Sequence, residues 1–161
     1  MTEKKEMEKI DLTMTKNEAL AMYDCLKNLA SQKLGVFIKF DIGHDINRLK
    51  ETYELIDSIR SDTSAIEGLE EYQNGLRKLM SRFFVDGVCP KENVQAFNVE
   101  AALHKDKNQE TVAAIEAREK DINEMLKEKI EIFGLVKLKI SDFPEELEFD
   151  ITPIFKLLER E

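Results

Sequence analysis

Histidine, cysteine and neighbouring acidic side chains are the residues in this chain that first suggest chemistry. His44 is followed directly by Asp45, and an imidazole beside a carboxylate could share a divalent metal ion. A catalytic zinc site uses about three protein ligands, however, and His104 is the only other histidine. We therefore predict no metal site here and interpret the pair as polar residues at the start of a helix.

The cysteines and glycines also fail to form a recognisable catalytic motif. Cys25 falls on the apolar face of a predicted helix, and Cys89 precedes Pro90 in a predicted turn without an identifiable base. All 6 glycines are isolated, so no glycine-rich loop is present to bind a phosphate. We predict a protein that is not an enzyme and has no catalytic residue, metal or cofactor.

The charge balance limits the classes of partner. The chain of 161 residues carries 33 acidic and 24 basic side chains, for a net charge of -9. Direct binding to nucleic acid is not expected, because clustered lysine and arginine side chains make most contacts with phosphates. The charged N-terminus and the absence of a long apolar run predict a cytoplasmic protein without membrane contact.

The apolar spacing predicts one long amphipathic helix over Asp41–Phe84, although the phase of its stripe slips near residues 60–63. The first half repeats apolar residues at intervals of three and four, which places one set on a single face: Ile42, Ile46, Leu49, Tyr53 and Ile56. A second amphipathic stretch, Glu110–Ile130, supplies an antiparallel return arm. Together they predict a long, coiled-coil-like helical hairpin over residues 41–130.

Both ends of the chain show the alternation of a half-buried strand. Ile10–Met14 and Val136–Ile140 each alternate apolar and polar residues. Thr15 and Glu18 have the spacing of a capping box and predict the start of a helix. Near the C-terminus, Thr152-Pro153 predicts the start of a short final helix.

The link between the first helix and the long helix is predicted to be extended. Gly35–Phe40 is apolar and β-branched, and Asp41 is the expected cap of the following helix. The resulting fold class is mainly α (α+β) in a single domain, residues 1–161. A small base of two strands covered by helices comprises residues 10–40 and 131–161, and residues 1–9 form a flexible tail.

Aromatic side chains mark the region where the long helix is expected to end. The set predicted to contact a protein partner comprises Phe83, Phe84, Val94 and Phe97, because aromatic residues are enriched where interfaces carry energy. An alternative is that this set forms a small local core. The imperfect apolar seam of the hairpin also favours a homodimer.

Two segments carry a resemblance to a known group of proteins. The opening "IDLTMTKNEALAMYDCLKNLASQKLGVFIKFDIGHDINRLKETYELI" and the closing "EMLKEKIEIFGLVKLKISDFPEELEFDITPIFKLLE" resemble small uncharacterised proteins encoded by phages and prophages of Gram-positive bacteria. The resemblance spans roughly half of the chain, and residues 62–109 depart from it. It implies a viral accessory role and supplies no site residues.

These observations predict a non-enzymatic phage or prophage accessory protein that acts by binding another protein. One version inhibits a host defence or nucleic-acid-processing protein in the host cytoplasm. A second assembles into, or helps to build, the virion. A small chaperone resembling prefoldin is a further alternative, since paired helices on a β base are typical of that class.

Overall fold

The computed structural model describes residues 8–159, so residues 1–7 of the predicted tail lie outside the described residues. In chain order, the elements are β1 (Lys9–Thr15), α1 (Lys16–Ala30), α2 (Val36–Ser61), α3 (Leu69–Phe83), α4 (Lys91–Lys107), α5 (Gln109–Lys127), β2 (Lys129–Val136) and two short 3-10 helices, Ile140–Asp142 and Thr152–Leu157. The predicted class is confirmed: the fold is mainly α with a small antiparallel sheet. Its contacts divide the chain into two compact units, residues 1–60 with 124–161 and residues 61–123.

The sheet of the first unit joins the two ends of the chain, as predicted. β1 pairs antiparallel with β2, from Lys9 opposite Val136 to Thr15 opposite Lys129. The predicted second strand, Val136–Ile140, is wrong, because the paired segment lies earlier in the chain. The alternation of Ile130 and Ile132 also fits a strand, and pairing with β1 selects that segment.

The core of the first unit lies between one face of the sheet, α1, α2 and the final 3-10 helix. Its most completely buried members include Leu26, Leu29, Ile42, Leu135, Ile154 and Leu157. The capping box at the start of α1 is confirmed: Glu18 N donates to Thr15 Oγ1 at 3.1 Å, and Thr15 N donates to Glu18 at 2.7 Å. This local chemistry fixes where the strand ends and the helix begins.

Two predictions about the long helix are wrong. Gly35–Phe40 is not an extended link, since α2 begins at Val36 and Asp41 lies inside that helix. The predicted helix Asp41–Phe84 is also interrupted between α2 and α3. Asp62 accepts hydrogen bonds from Ser64 N at 3.0 Å and Ser64 Oγ at 2.6 Å, which offers the backbone a turn in place of another helical turn.

The final helix begins near the predicted position but is a 3-10 helix. Asp150, rather than Thr152, supplies the hydrogen-bond acceptor at the start of this helix. Its Oδ1 accepts hydrogen bonds from Thr152 N at 2.9 Å and from Thr152 Oγ1 at 2.6 Å. The same hydrogen bonds lower the pKa of the Asp150 carboxyl. Ile154 and Leu157 then point into the core of the first unit, where both are fully buried.

Candidate functional site

The turn between α3 and α4 is a tight two-residue hairpin in the second unit. Val85 N donates to Val88 O at 2.9 Å, and Val88 N donates to Val85 O at 3.0 Å. Asp86 and Gly87, between them, have φ values of 49° and 79°. Asp-Gly is a preferred pair for such a turn because both central residues must adopt left-handed backbone conformations. The two valines are therefore held in a defined geometry.

Two phenylalanine rings from the residues near this turn pack around a third, that of Phe97. The ring centroids of Phe83 and Phe97 are 6.0 Å apart at an interplanar angle of 68°, and those of Phe84 and Phe97 are 5.0 Å apart at 72°. Both pairs have the edge-to-face geometry that aromatic rings favour. Asn93 Nδ2 donates to Phe83 O at 3.0 Å and adds a polar link between the two helices.

The structure thus brings together three of the four residues predicted to bind a partner. The rings of Phe83, Phe84 and Phe97 are half-buried, so they form a small local cluster and still reach the surface. Val94 lies one helical turn before Phe97 and is 40% exposed. The neighbouring aliphatic side chains are therefore more exposed than the aromatic rings.

Of those aliphatic side chains, Val94 was predicted from the sequence as a binding residue, whereas Met80, Val85 and Val88 were missed. We define the apolar turn surface as Met80, Val85, Val88 and Val94. Val85 is 61% and Val88 68% exposed, and both are held on the hairpin turn. Two valines flanking Asp-Gly carry the sequence signature of a tight hairpin, which would have predicted the turn itself.

A close helix contact at Gly75 also holds α3 against α4. His104 Nε2 donates to Tyr72 O at 2.9 Å, and the His104 and Tyr72 rings stack with their centroids 5.0 Å apart. A Cβ atom added at Gly75 would lie 2.1 Å from His104 Cε1. Glycine is therefore required for the imidazole to reach this position.

We predict that Gly75→Ala destabilises the protein by about 1 kcal/mol, although alanine is the better helix former. The added methyl group displaces the His104 ring and removes its hydrogen bond to Tyr72. Gly43→Ala is the matched control, because Gly43 also lies in a helix but has no atom within 4 Å of an added Cβ. It should stabilise by about 0.5–1 kcal/mol. Urea denaturation followed by circular dichroism measures both; a stabilising Gly75→Ala would contradict this packing.

Asp45, part of the pair first considered for metal binding, is completely buried in the first unit. Its Oδ1 accepts a hydrogen bond from Val136 N at 2.7 Å, and His44 Nδ1 lies 3.4 Å from the same oxygen. Among the residues that the structure describes, its Oδ2 has no hydrogen-bond partner. Burial raises the pKa of Asp45 to about 6 against the opposing effect of the Val136 hydrogen bond. The carboxylate therefore secures α2 to the end of β2 at an electrostatic penalty.

Other chemically capable groups in the described residues are dispersed or already paired. Cys25 is buried, and this burial raises the pKa of its thiol to about 11. Within residues 8–159, no group of three or more histidine, cysteine, aspartate or glutamate side chains could hold a metal ion. A hollow of about 480 Å³ is lined partly by Lys137 and Glu8, which form an ion pair with each other.

A second exposed apolar set lies at the start of α2 in the first unit. Val36 is 81%, Phe37 85% and Phe40 65% exposed. These side chains share the first turns of one helix. On the apolar turn surface, two hairpin hydrogen bonds fix the backbone that carries Val85 and Val88, which reduces the ordering needed on binding.

In comparisons with known proteins, the chain matches no family model, no curated protein and no solved structure. Among the helices of residues 8–159, none combines the length and apolar character needed to cross a membrane.

Proposed function

We propose that this protein is a non-enzymatic binding module that contacts a protein partner through the apolar turn surface. The observation that carries the proposal is the exposure of Val85 and Val88 on a turn closed by two backbone hydrogen bonds. Exposed aliphatic side chains in a fixed geometry can bury apolar area with little loss of conformational entropy. The two backbone hydrogen bonds of the turn hold Val85 and Val88 in such a geometry.

The aromatic cluster supports the same proposal. Phe83, Phe84 and Phe97 form a packed cluster of rings near the valines in the chain and remain partly accessible. Energetic centres of interfaces combine well-packed aromatic side chains with neighbouring apolar contacts that exclude water. Among the predicted partner-binding residues, the three phenylalanines therefore contribute a packed aromatic cluster, and Val94 belongs to the apolar turn surface itself.

The biological setting we propose is that of a phage or prophage accessory protein acting in the host cytoplasm. The resemblance of the two terminal segments supports this origin, and the net charge of -9 favours a protein partner over nucleic acid. Inhibition of a host defence or nucleic-acid-processing protein is our first choice of role. Assembly into the virion is the alternative, and recovery of the chain in purified particles would favour it.

Val85→Ser/Val88→Ser should reduce partner recovery at least about tenfold, because it removes the apolar contacts at the centre of the proposed interface. The measurement is affinity purification of the full chain from prophage-carrying or infected cells, with mass spectrometry to identify and quantify the partner. The Asp-Gly turn remains in this variant, and circular dichroism would verify that the helices are retained.

Val36→Ser/Phe37→Ser is the matched control, since it removes two exposed apolar side chains from the first unit. It should leave recovery of the same partner unchanged. The proposal would be overturned if the control abolished recovery and the substitutions in the turn did not.

A further inference from the structure

We propose that the partner segment bound by the apolar turn surface is acidic and carries large apolar side chains. This inference rests on the proposed function and adds the chemical class of the partner. Two features of the second unit carry it: the exposed valines, and a local excess of positive charge around them in an acidic protein.

Charge is unevenly distributed along α3 and the turn that follows. Residues 77–94 contain four basic and two acidic side chains, against a net charge of -9 for the whole chain: Arg77, Lys78, Arg82 and Lys91, with Asp86 and Glu92. The first turn of α3 instead carries Glu70 and Glu71. Positive charge is therefore concentrated in the segment of the sequence that contains the apolar turn surface.

The lysines of this region have the exposure needed to meet a partner. Lys78 and Lys91 are exposed, and neither takes part in an ion pair within the described part of the chain. Arg82 is partly engaged, since its guanidinium lies 3.8 Å from Glu100 and 5.1 Å from the centre of the Phe83 ring. The two lysines can therefore pair with acidic side chains at the rim of the interface.

The apolar side chains favour a protein segment over a phosphate-rich surface. Val85 and Val88 are exposed and lie between Arg82 and Lys91 in the sequence, with Asp86 between the two valines in the turn. Phosphates would meet an aspartate and two valines at the centre of this surface, whereas a peptide can place apolar side chains there and carboxylates at the rim. Charge complementarity of this kind increases specificity and the rate of association.

The test is selection from a random peptide library displayed on yeast, with the full chain as bait. The wild-type chain is compared with Val85→Ser/Val88→Ser and with Lys78→Glu/Lys91→Glu. Lys27→Glu/Lys39→Glu is the matched control, because it reverses two exposed lysines of the first unit and changes the net charge by the same amount. Circular dichroism checks the fold of each variant.

Wild-type chain should select peptides enriched in aspartate or glutamate together with large apolar residues. Their binding should be lost in Val85→Ser/Val88→Ser and fall roughly threefold to tenfold in Lys78→Glu/Lys91→Glu, as expected for two exposed ion pairs. It should persist in Lys27→Glu/Lys39→Glu.

Different failures separate this inference from the proposed function. Peptides that depend on the valines but show no acidic bias overturn the inference and leave the binding surface in place. Peptides that bind equally well to Val85→Ser/Val88→Ser overturn both. The absence of selected peptides, or valine-dependent binding to anionic vesicles or DNA, overturns the acidic-segment inference.

Discussion

Ile154→Ala is expected to lower the free energy of unfolding by about 2–5 kcal/mol, because it removes a fully buried side chain and leaves a cavity. Ile154 lies in the final 3-10 helix and belongs to the core that includes α1, α2 and both strands. The loss should appear as a lower urea midpoint in denaturation followed by circular dichroism. The prediction tests whether the end of the chain closes the core of the first unit.

Phe155→Ala provides the control at the next residue. Phe155 is 56% exposed and lies in the same 3-10 helix, so its truncation removes more carbon atoms but leaves no enclosed cavity. Its effect should be below about 1 kcal/mol. Equal losses in the two variants would show that Ile154 is not enclosed as described.

Asp45→Asn is expected to remove an unfavourable contribution to folding that grows with pH. The pKa of Asp45 is raised from 3.8 to about 6 in the folded state, first because of burial and also because of Asp41, while the Val136 hydrogen bond and His44 act in the opposite direction. The folded state therefore binds the proton more tightly than the unfolded state. Asp45 consequently disfavours folding increasingly as the pH rises from about 4 to 6, and its full penalty applies above that range.

The size of this effect follows from the shift in pKa. A change from 3.8 to about 6 corresponds to an unfavourable contribution on the order of 2–3 kcal/mol at neutral pH. Part of this penalty is already present at pH 4.5, so the stability of Asp45→Asn relative to wild type should improve by about 2 kcal/mol between about pH 4.5 and pH 7.5. Comparing the two proteins at each pH cancels the contributions of the other carboxylates. Parallel stability curves would contradict the buried, ionised state of Asp45.

Local chemistry made part of the fold predictable. The Thr15–Glu18 capping box is readable because both partners lie within one helical turn, and it fixes the start of α1. The apolar spacing over 42–56 similarly identifies the buried face of α2. These features depend on residues close together in sequence.

Elements that depend on distant contacts were harder to predict. β2 ends at Val136, where the prediction placed the start of a strand, because alternation alone does not select which apolar segment pairs with β1. The apolar residues Val36–Phe40 favour an extended segment by composition but form the first turns of α2. The interruption after Ser61 depends on the Asp62–Ser64 turn, whose competition with the helix was visible only as a slip in phase.

The sequence predicted where along the chain the candidate site lies, but it did not predict that Val85 and Val88 are its most exposed side chains. Aromatic enrichment identified Phe83, Phe84 and Phe97, which the structure brings together. The exposure of Val85 and Val88 depends on how the Asp86-Gly87 turn directs them, and a composition argument does not supply that direction. Partner identity depends on chemistry outside the chain.

We propose that a partner contacts the turn between α3 and α4, and site-specific photo-crosslinking would detect that contact in the cell. A photoreactive amino acid is placed at Val88 in one full-length chain and at Val36 in another, and each chain is expressed in prophage-carrying or infected cells. We predict that the photoreactive residue at position 88 forms a covalent adduct with the partner recovered by affinity purification, and that the one at position 36 forms none. An adduct from position 36 with none from position 88 would contradict the proposed binding surface.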